Sequence, residues 1–207
     1  LKRELAEKDR LLQLEKEKVI YVSDADKKEA EKWFNKGYDA KTPEKKIEYY
    51  SRAIEINPKY ADAFYNRGLA YYNLGKYNLA ISDYNRAIEI NPKDAKAFNN
   101  RGNSYALQGD LKKAISDYNR AIEINPKDAD AFNNRGISYK NLGKYNLAIS
   151  DYNRAIELNP KDADAFYNRG LAYALQGDLK KAKADAIRAS QLGNNNLMNV
   201  MKENGDW

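Results

Sequence analysis

Small and apolar side chains return along most of this chain at helical spacing. In the stretch beginning at Ala61, Phe64, Gly68 and Tyr71 are spaced i, i+4 and i+7, one face of a helix. A Leu74-Gly75 turn follows, where glycine supplies the left-handed conformation that ends a helix. Ala80, Tyr84, Ala87 and Ile88 mark the apolar face of a second helix. Pro92 cannot continue it, and Asp94 is placed to cap the next. The pattern predicts a helical hairpin.

That hairpin recurs. Pro58, Pro92, Pro126 and Pro160 are separated by a constant step of 34, as are Gly68, Gly102, Gly136 and Gly170, and Ala80, Ala114, Ala148 and Ala182. The units are 61–94, 95–128, 129–162 and 163–194, preceded by a divergent unit 30–60. A slower rhythm lies on top: the first and third full units share NLGKYNLAISDYNRAIE, the second and fourth ALQGDLKKA. In the latter, Asp110 and Asp178 are placed to cap the second helix.

Gly68, Tyr71, Ala80, Tyr84, Ala87 and Pro92, preceded by Phe64, resemble the tetratricopeptide repeat signature. The resemblance implies an all-α fold, a right-handed superhelix (solenoid) of stacked antiparallel helix hairpins. Five tetratricopeptide repeats would cover 26–194, after a charged N-terminal helix or linker (1–25) and before a C-terminal capping helix and tail (195–207). First helices would line a concave groove and second helices the convex outside.

Both ends depart from the pattern. Unit 30–60 keeps Trp33, Gly37, Tyr50, Ala53 and Pro58, but its turn reads as three residues shorter, and Lys46 replaces the small Ala. Thr42-Pro43-Glu44 reads as an N-cap followed by Pro at the first helical position. The last unit has Ala186 for Tyr and Asn194 for Pro, and Leu197, Met198, Val200 and Met201 predict a short helix over the exposed end. Residues 1–22 are strongly helix-forming, with Leu5, Leu12 and Val19 seven apart. Lys8 and Glu15 interrupt the partner seam, so this segment is read either as a self-association helix or as a charged linker. The chain begins at Leu1 without Met, so a fragment or processed form is expected. A cytoplasmic location is the default, with a periplasmic or membrane-anchored form the alternative if a segment precedes Leu1.

Composition narrows the chemistry. There is no Cys and no His, which removes thiol nucleophiles, imidazole bases and most transition-metal sites. No glycine-rich phosphate loop or spaced carboxylate loop occurs, so no catalytic residue, cofactor or metal is expected. The net charge of +6 is spread thinly and forms no basic stripe, which argues against nucleic acid. No apolar run is long enough to span a bilayer.

The string AFNNRG at 97–102 and 131–136, and AFYNRG at 63–68 and 165–170, carries a polar pair at fixed places. By helix geometry Asn66 lies about 200° from Phe64, opposite the core, whereas Arg67 lies about 60° away on its flank. On the family's architecture Asn35, Asn66, Asn100, Asn134 and Asn168 form a row along the groove. The row resembles the asparagine ladder of the O-linked N-acetylglucosamine transferase repeat domain. A carboxamide offers both donor and acceptor to an extended backbone; the alternative is a tolerated polar residue in near-identical copies. Tyr65, Tyr72, Asn99, Asn103, Asn133 and Tyr167 are the neighbouring groove residues, aromatic first, amide-rich in the middle and apolar again with Leu171 and Leu175. Glu31, Asp62, Asp130 and Asp164 put acid on the rim, with Lys96 the only base of that row. That pattern speaks against the family's clamp for acidic chaperone C-termini. Arg67, Arg101, Arg135 and Arg169 each precede an Asp by 16 residues, which predicts an inter-helix ion pair in each full unit.

The resulting expectation is a non-catalytic interaction scaffold binding an extended peptide of a protein partner of unspecified identity. The alternative is a structural module that oligomerises through the N-terminal helix and repeat end faces.

Overall fold

The computed structural model describes residues 22–203 and Gly205. The expected charged segment 1–25, with its self-association seam, therefore lies outside the described residues except for 22–25, where Ser23 caps the first helix of the array and Asp24 and Ala25 open it. Among those residues there are eleven α-helices and no strand. The first ten form five hairpins: α1 (Asp24–Asp39) with α2 (Pro43–Ile56), α3 (Ala61–Asn73) with α4 (Tyr77–Ile90), α5 (Ala95–Leu107) with α6 (Leu111–Ile124), α7 (Ala129–Asn141) with α8 (Tyr145–Leu158), and α9 (Ala163–Leu175) with α10 (Leu179–Gln191). Helix α11 (Asn196–Glu203) closes the array. None of these helices is long and apolar enough to cross a membrane.

Local chemistry explains the boundaries. Asp94, Asp128 and Asp162 accept hydrogen bonds from the first-turn backbone of α5, α7 and α9, and Asp110 and Asp178 cap α6 and α10 in the same way. Gly75, with φ +70°, ends the α3 turn in the left-handed region where a side chain would be strained.

The hairpins close around one recurrent contact. Tyr84, Tyr118 and Tyr152 are almost wholly buried, and each ring lies where a methyl group on Gly68, Gly102 or Gly136 would be. The missing Cβ is what lets the two helices of a hairpin approach with an aromatic ring between them. Between units, alanines such as Ala87 and Ala97 are buried together with Phe64. Each hairpin thus completes its core on the next one, which is why the stack is continuous. Consecutive first helices α3, α5, α7 and α9 also pack directly on one another, which puts them on the inner, concave side.

The first hairpin corrects one reading. The loop between α1 and α2 has the same three residues as the loop between α3 and α4, so the shortening falls on the C-terminal turn of α1 instead. Lys46 fills the vacated place. Its ammonium donates to the carbonyl oxygens of Tyr38 (3.1 Å) and Gly37 (3.5 Å), a cation closing the negative end of a truncated helix.

Candidate functional site

The arginines of the repeated motif belong to the scaffold. Arg135 donates from Nε and Nη2 to both carboxylate oxygens of Asp151 at 2.8 and 2.6 Å, and the Asp is only 5% exposed. The same two-pronged pair joins Arg67 to Asp83, Arg101 to Asp117 and Arg169 to Asp185. A third bond reaches backward. Nη1 of Arg101, Arg135 and Arg169 donates to Oδ1 of Asn85, Asn119 and Asn153 in the preceding unit, each at 2.7 Å, and Arg67 reaches Ser51 Oγ at 2.9 Å. Each guanidinium also lies over the Phe of its own motif, 5.3 Å from the Phe98 ring for Arg101. These arginines are spent on stacking one hairpin against the last. The backward partners were missed from sequence, although their offset of −16 mirrors the +16 of the Asp.

The asparagines form a different network. Asn100 Nδ2 donates to the Tyr65 hydroxyl (2.8 Å), Asn134 Nδ2 to Asn99 Oδ1 (3.3 Å), and Asn168 Nδ2 to Asn133 Oδ1 (3.2 Å). Every link joins adjacent first helices across the concave face. The carboxamides are therefore not free at both ends, as the sequence suggested: one N–H of each is already engaged. No donor among the described residues takes the Oδ1 of Asn100 or Asn134. For Asn66 the equivalent residue one unit back is Phe34, which has no oxygen to offer, and the amide donates instead to the Asp62 carbonyl of its own helix (2.8 Å). Asn35 is exposed, whereas Asn168 is only 8% exposed.

The remaining groove residues divide by position. Tyr65 stacks at a tilt on Tyr84, and Tyr72 on Tyr77, with ring centroids 5.9 and 5.7 Å apart. Asn103 Oδ1 accepts from the Tyr118 hydroxyl at 2.8 Å. Tyr167 and Leu171 pack against the cluster that contains Leu197 and Met201 of α11. Asn168 is thereby closed off, and the accessible members of the row are Asn35 on α1, Asn66 on α3, Asn100 on α5 and Asn134 on α7. On the rim, Asp62, Asp130 and Asp164 are exposed, as is Lys96. The Asp130 carboxyl is held above the ordinary carboxylate range, first by partial desolvation and then by Asp128 and Asp162. Among the described residues no group of acidic side chains is arranged to hold a metal ion.

Sequence profiles described as Tetratricopeptide repeat match residues 61–94, 83–116 and 163–195, and one described as TPR repeat matches 102–143 and 138–177. The chain belongs to the tetratricopeptide repeat family. It is 43% identical over 56 residues to MJ0572, an uncharacterized protein of Methanocaldococcus jannaschii, and the match covers 26% of this chain and 65% of that relative's length. Among solved structures, the tetratricopeptide repeat protein YrrB superposes with a TM-score of 0.71 at 24% identity, over 94% of this chain and 97% of YrrB. YrrB is described as having an unusual peptide-binding site. The first repeat domain of Spaghetti (RPAP3), bound to the HSP90 peptide SRMEEVD, superposes with a TM-score of 0.56 at 27% identity, over 56% of this chain and 93% of that domain.

Proposed function

We propose that this tetratricopeptide repeat array is a non-catalytic scaffold that holds an extended segment of a partner protein in its concave groove. The observation that carries the reading is the amide network of the inner helices. The Nδ2 of Asn100 and of Asn134 is fixed to the preceding unit, so the Oδ1 of each is oriented in advance at repeat spacing. Two such acceptors suit the N–H groups of an extended backbone, and little side-chain entropy remains to be lost on binding. The peptide-binding descriptions of YrrB and of the Spaghetti domain support the same reading.

The rim chemistry favours a segment with basic residues over an acidic one of the SRMEEVD type. Asp62 and Asp130 flank the single Lys96 of their row, and a bound carboxylate would meet like charge there.

A library of random short peptides displayed on phage, selected against the full chain, tests the proposal. Replacing Asn100 and Asn134 together by Ala removes both acceptors and two inter-unit hydrogen bonds. Binding of the selected peptides should fall at least about tenfold, while stability falls by only about 1 kcal/mol per bond. Undiminished binding by the double variant would overturn the groove reading.

A further inference from the structure

Two clefts open between the same pair of inner helices, α5 and α7. The larger, ≈ 630 Å³, lies toward their N-terminal ends and is walled by charge, with Lys96, Lys127, Asp128 and Asp130 around Asn99 and Asn100. The smaller, ≈ 210 Å³, lies toward their C-terminal halves. Tyr72, Asn103, Ala106, Tyr118, Ile137 and Ser138 are among its walls, and no charged side chain is. The hydrogen bond from Asn134 to Asn99 separates the two, since Asn134 lines the small cleft and Asn99 the large one. At ≈ 210 Å³ the small cleft is below the about 300 Å³ at which sites for whole small molecules begin, and it suits one side chain.

Near-identical units pose a problem for any extended ligand. A segment held only by repeated amides can slip by one unit and meet almost the same surface again, just as a featureless strand loses its register. One position that differs from its equivalents removes that degeneracy, as a single polar residue does in a coiled coil. The small cleft is such a position. The equivalents of Asn103 are Leu69, Ile137 and Leu171, and those of Tyr72 are Ala106, Lys140 and Ala174. Only at this junction does the buried tyrosine gain a partner from its own hairpin's Asn. The Tyr118 hydroxyl is held by Asn103, while the buried hydroxyls of Tyr84 and Tyr152 find no partner among the described residues.

We propose that this cleft sets the register of the bound segment by taking one uncharged, largely apolar side chain. The inference rests on the peptide-groove reading above. A charged side chain would lose its hydration here without meeting a countercharge, whereas the walls of Tyr72, Ala106 and Ile137 favour an aliphatic or aromatic body.

The same displayed library of random short peptides is selected against the full wild-type chain, Ala106→Trp and Ile137→Lys, with thermal melts to show that each is folded. Ala106→Trp fills the cleft, and Ile137→Lys, an independent variant should the first not fold, sets a cation in it. Wild-type selection should yield peptides sharing one position occupied by uncharged apolar residues. Ala106→Trp should still select peptides but without that preference, and should bind the wild-type consensus about tenfold or more weakly, the effect of losing one buried apolar side chain. Ile137→Lys should shift the preferred residue to Asp or Glu. If wild type selects peptides with no such position, or both variants keep it unchanged, the register inference falls and the groove reading stands. If wild type selects no peptide at all, the groove reading itself falls.

Discussion

Gly136 and Gly170 occupy equivalent places in neighbouring hairpins, yet different parts of the chain fill the notch that each leaves. A methyl group at Gly136 would lie 2.6 Å from the Tyr152 ring, which comes from the second helix of the same hairpin. At Gly170 the equivalent second-helix residue is Ala186, and the atom in the way is Leu197 Cδ2 of α11, at 2.5 Å. The missing tyrosine is thus not simple erosion of an end unit. An internal hairpin carries its own plug, while the last one borrows it from the helix that follows, so the last hairpin depends on its cap and the internal ones do not.

Removing the borrowed plug should have the largest effect. Leu197 is 2% exposed, so Leu197→Ala is expected to cost about 2–5 kcal/mol. Hydrogen exchange should show the loss confined to α9, α10 and α11, and adding Ala186→Tyr should restore part of it. Protection lost evenly along the array would mean that the last hairpin is no more dependent than the others.

Filling the two notches should separate them next. Gly136→Ala must push aside a rigid ring packed on all sides, at a cost of about 1–3 kcal/mol. Gly170→Ala meets the end of a flexible Leu and should cost clearly less in urea denaturation. Equal midpoints for the two variants would show that Tyr152 yields as readily as Leu197.

The smallest contrast lies on the acidic rim. Asp164 Oδ1 accepts a hydrogen bond from Asn194 Nδ2 at 2.8 Å, whereas Asp130 has its carboxyl pushed above the usual range by partial desolvation and by neighbouring Asp128 and Asp162. A carboxyl that holds its proton more tightly folded than unfolded weakens the fold at neutral pH, and that penalty is relieved as pH falls through the raised value. Asp130→Asn should therefore raise stability slightly at neutral pH, within about 0.5 kcal/mol, with the gain vanishing in acid. Asp164→Asn trades the charged acceptor of the Asn194 bond for a neutral one and should not raise stability. Melting curves across the acidic range would distinguish the two.

Much of the architecture was legible because it is periodic. The Gly and Tyr positions of the two helix faces, the Asp caps and the Arg–Asp pair each recur at a constant offset, although that the Tyr ring sits on the Gly of its own hairpin came only with the structure. What escaped depended on where one helix lies against another. That Asn100, Asn134 and Asn168 donate across units could not be read from those residues alone, since the acceptor sits one position off the repeat step, at 65, 99 or 133. The deletion in unit 30–60 looked like a shorter loop because residue spacing does not tell a lost helical turn from a lost linker. Leu197 was read as a cover for the end and not as a plug, since nothing before α11 marks how deep that helix sits.

One pair of contacts bears on how such an array can change length. Gln108 Nε2 donates to Asn78 Oδ1, and Gln176 Nε2 to Asn146 Oδ1, each at 2.6 Å. At the junction between them the corresponding residues are Leu142 and Lys112, which cannot reproduce the bond. Excising the unit 95–128 would set Leu142 against Asn78 and leave that amide without its partner. Excising 95–162 would bring Gln176 to Asn78 and keep the seam intact. The array is in this sense paved with two-hairpin tiles, and whole tiles are what it can lose or gain without a mismatched edge.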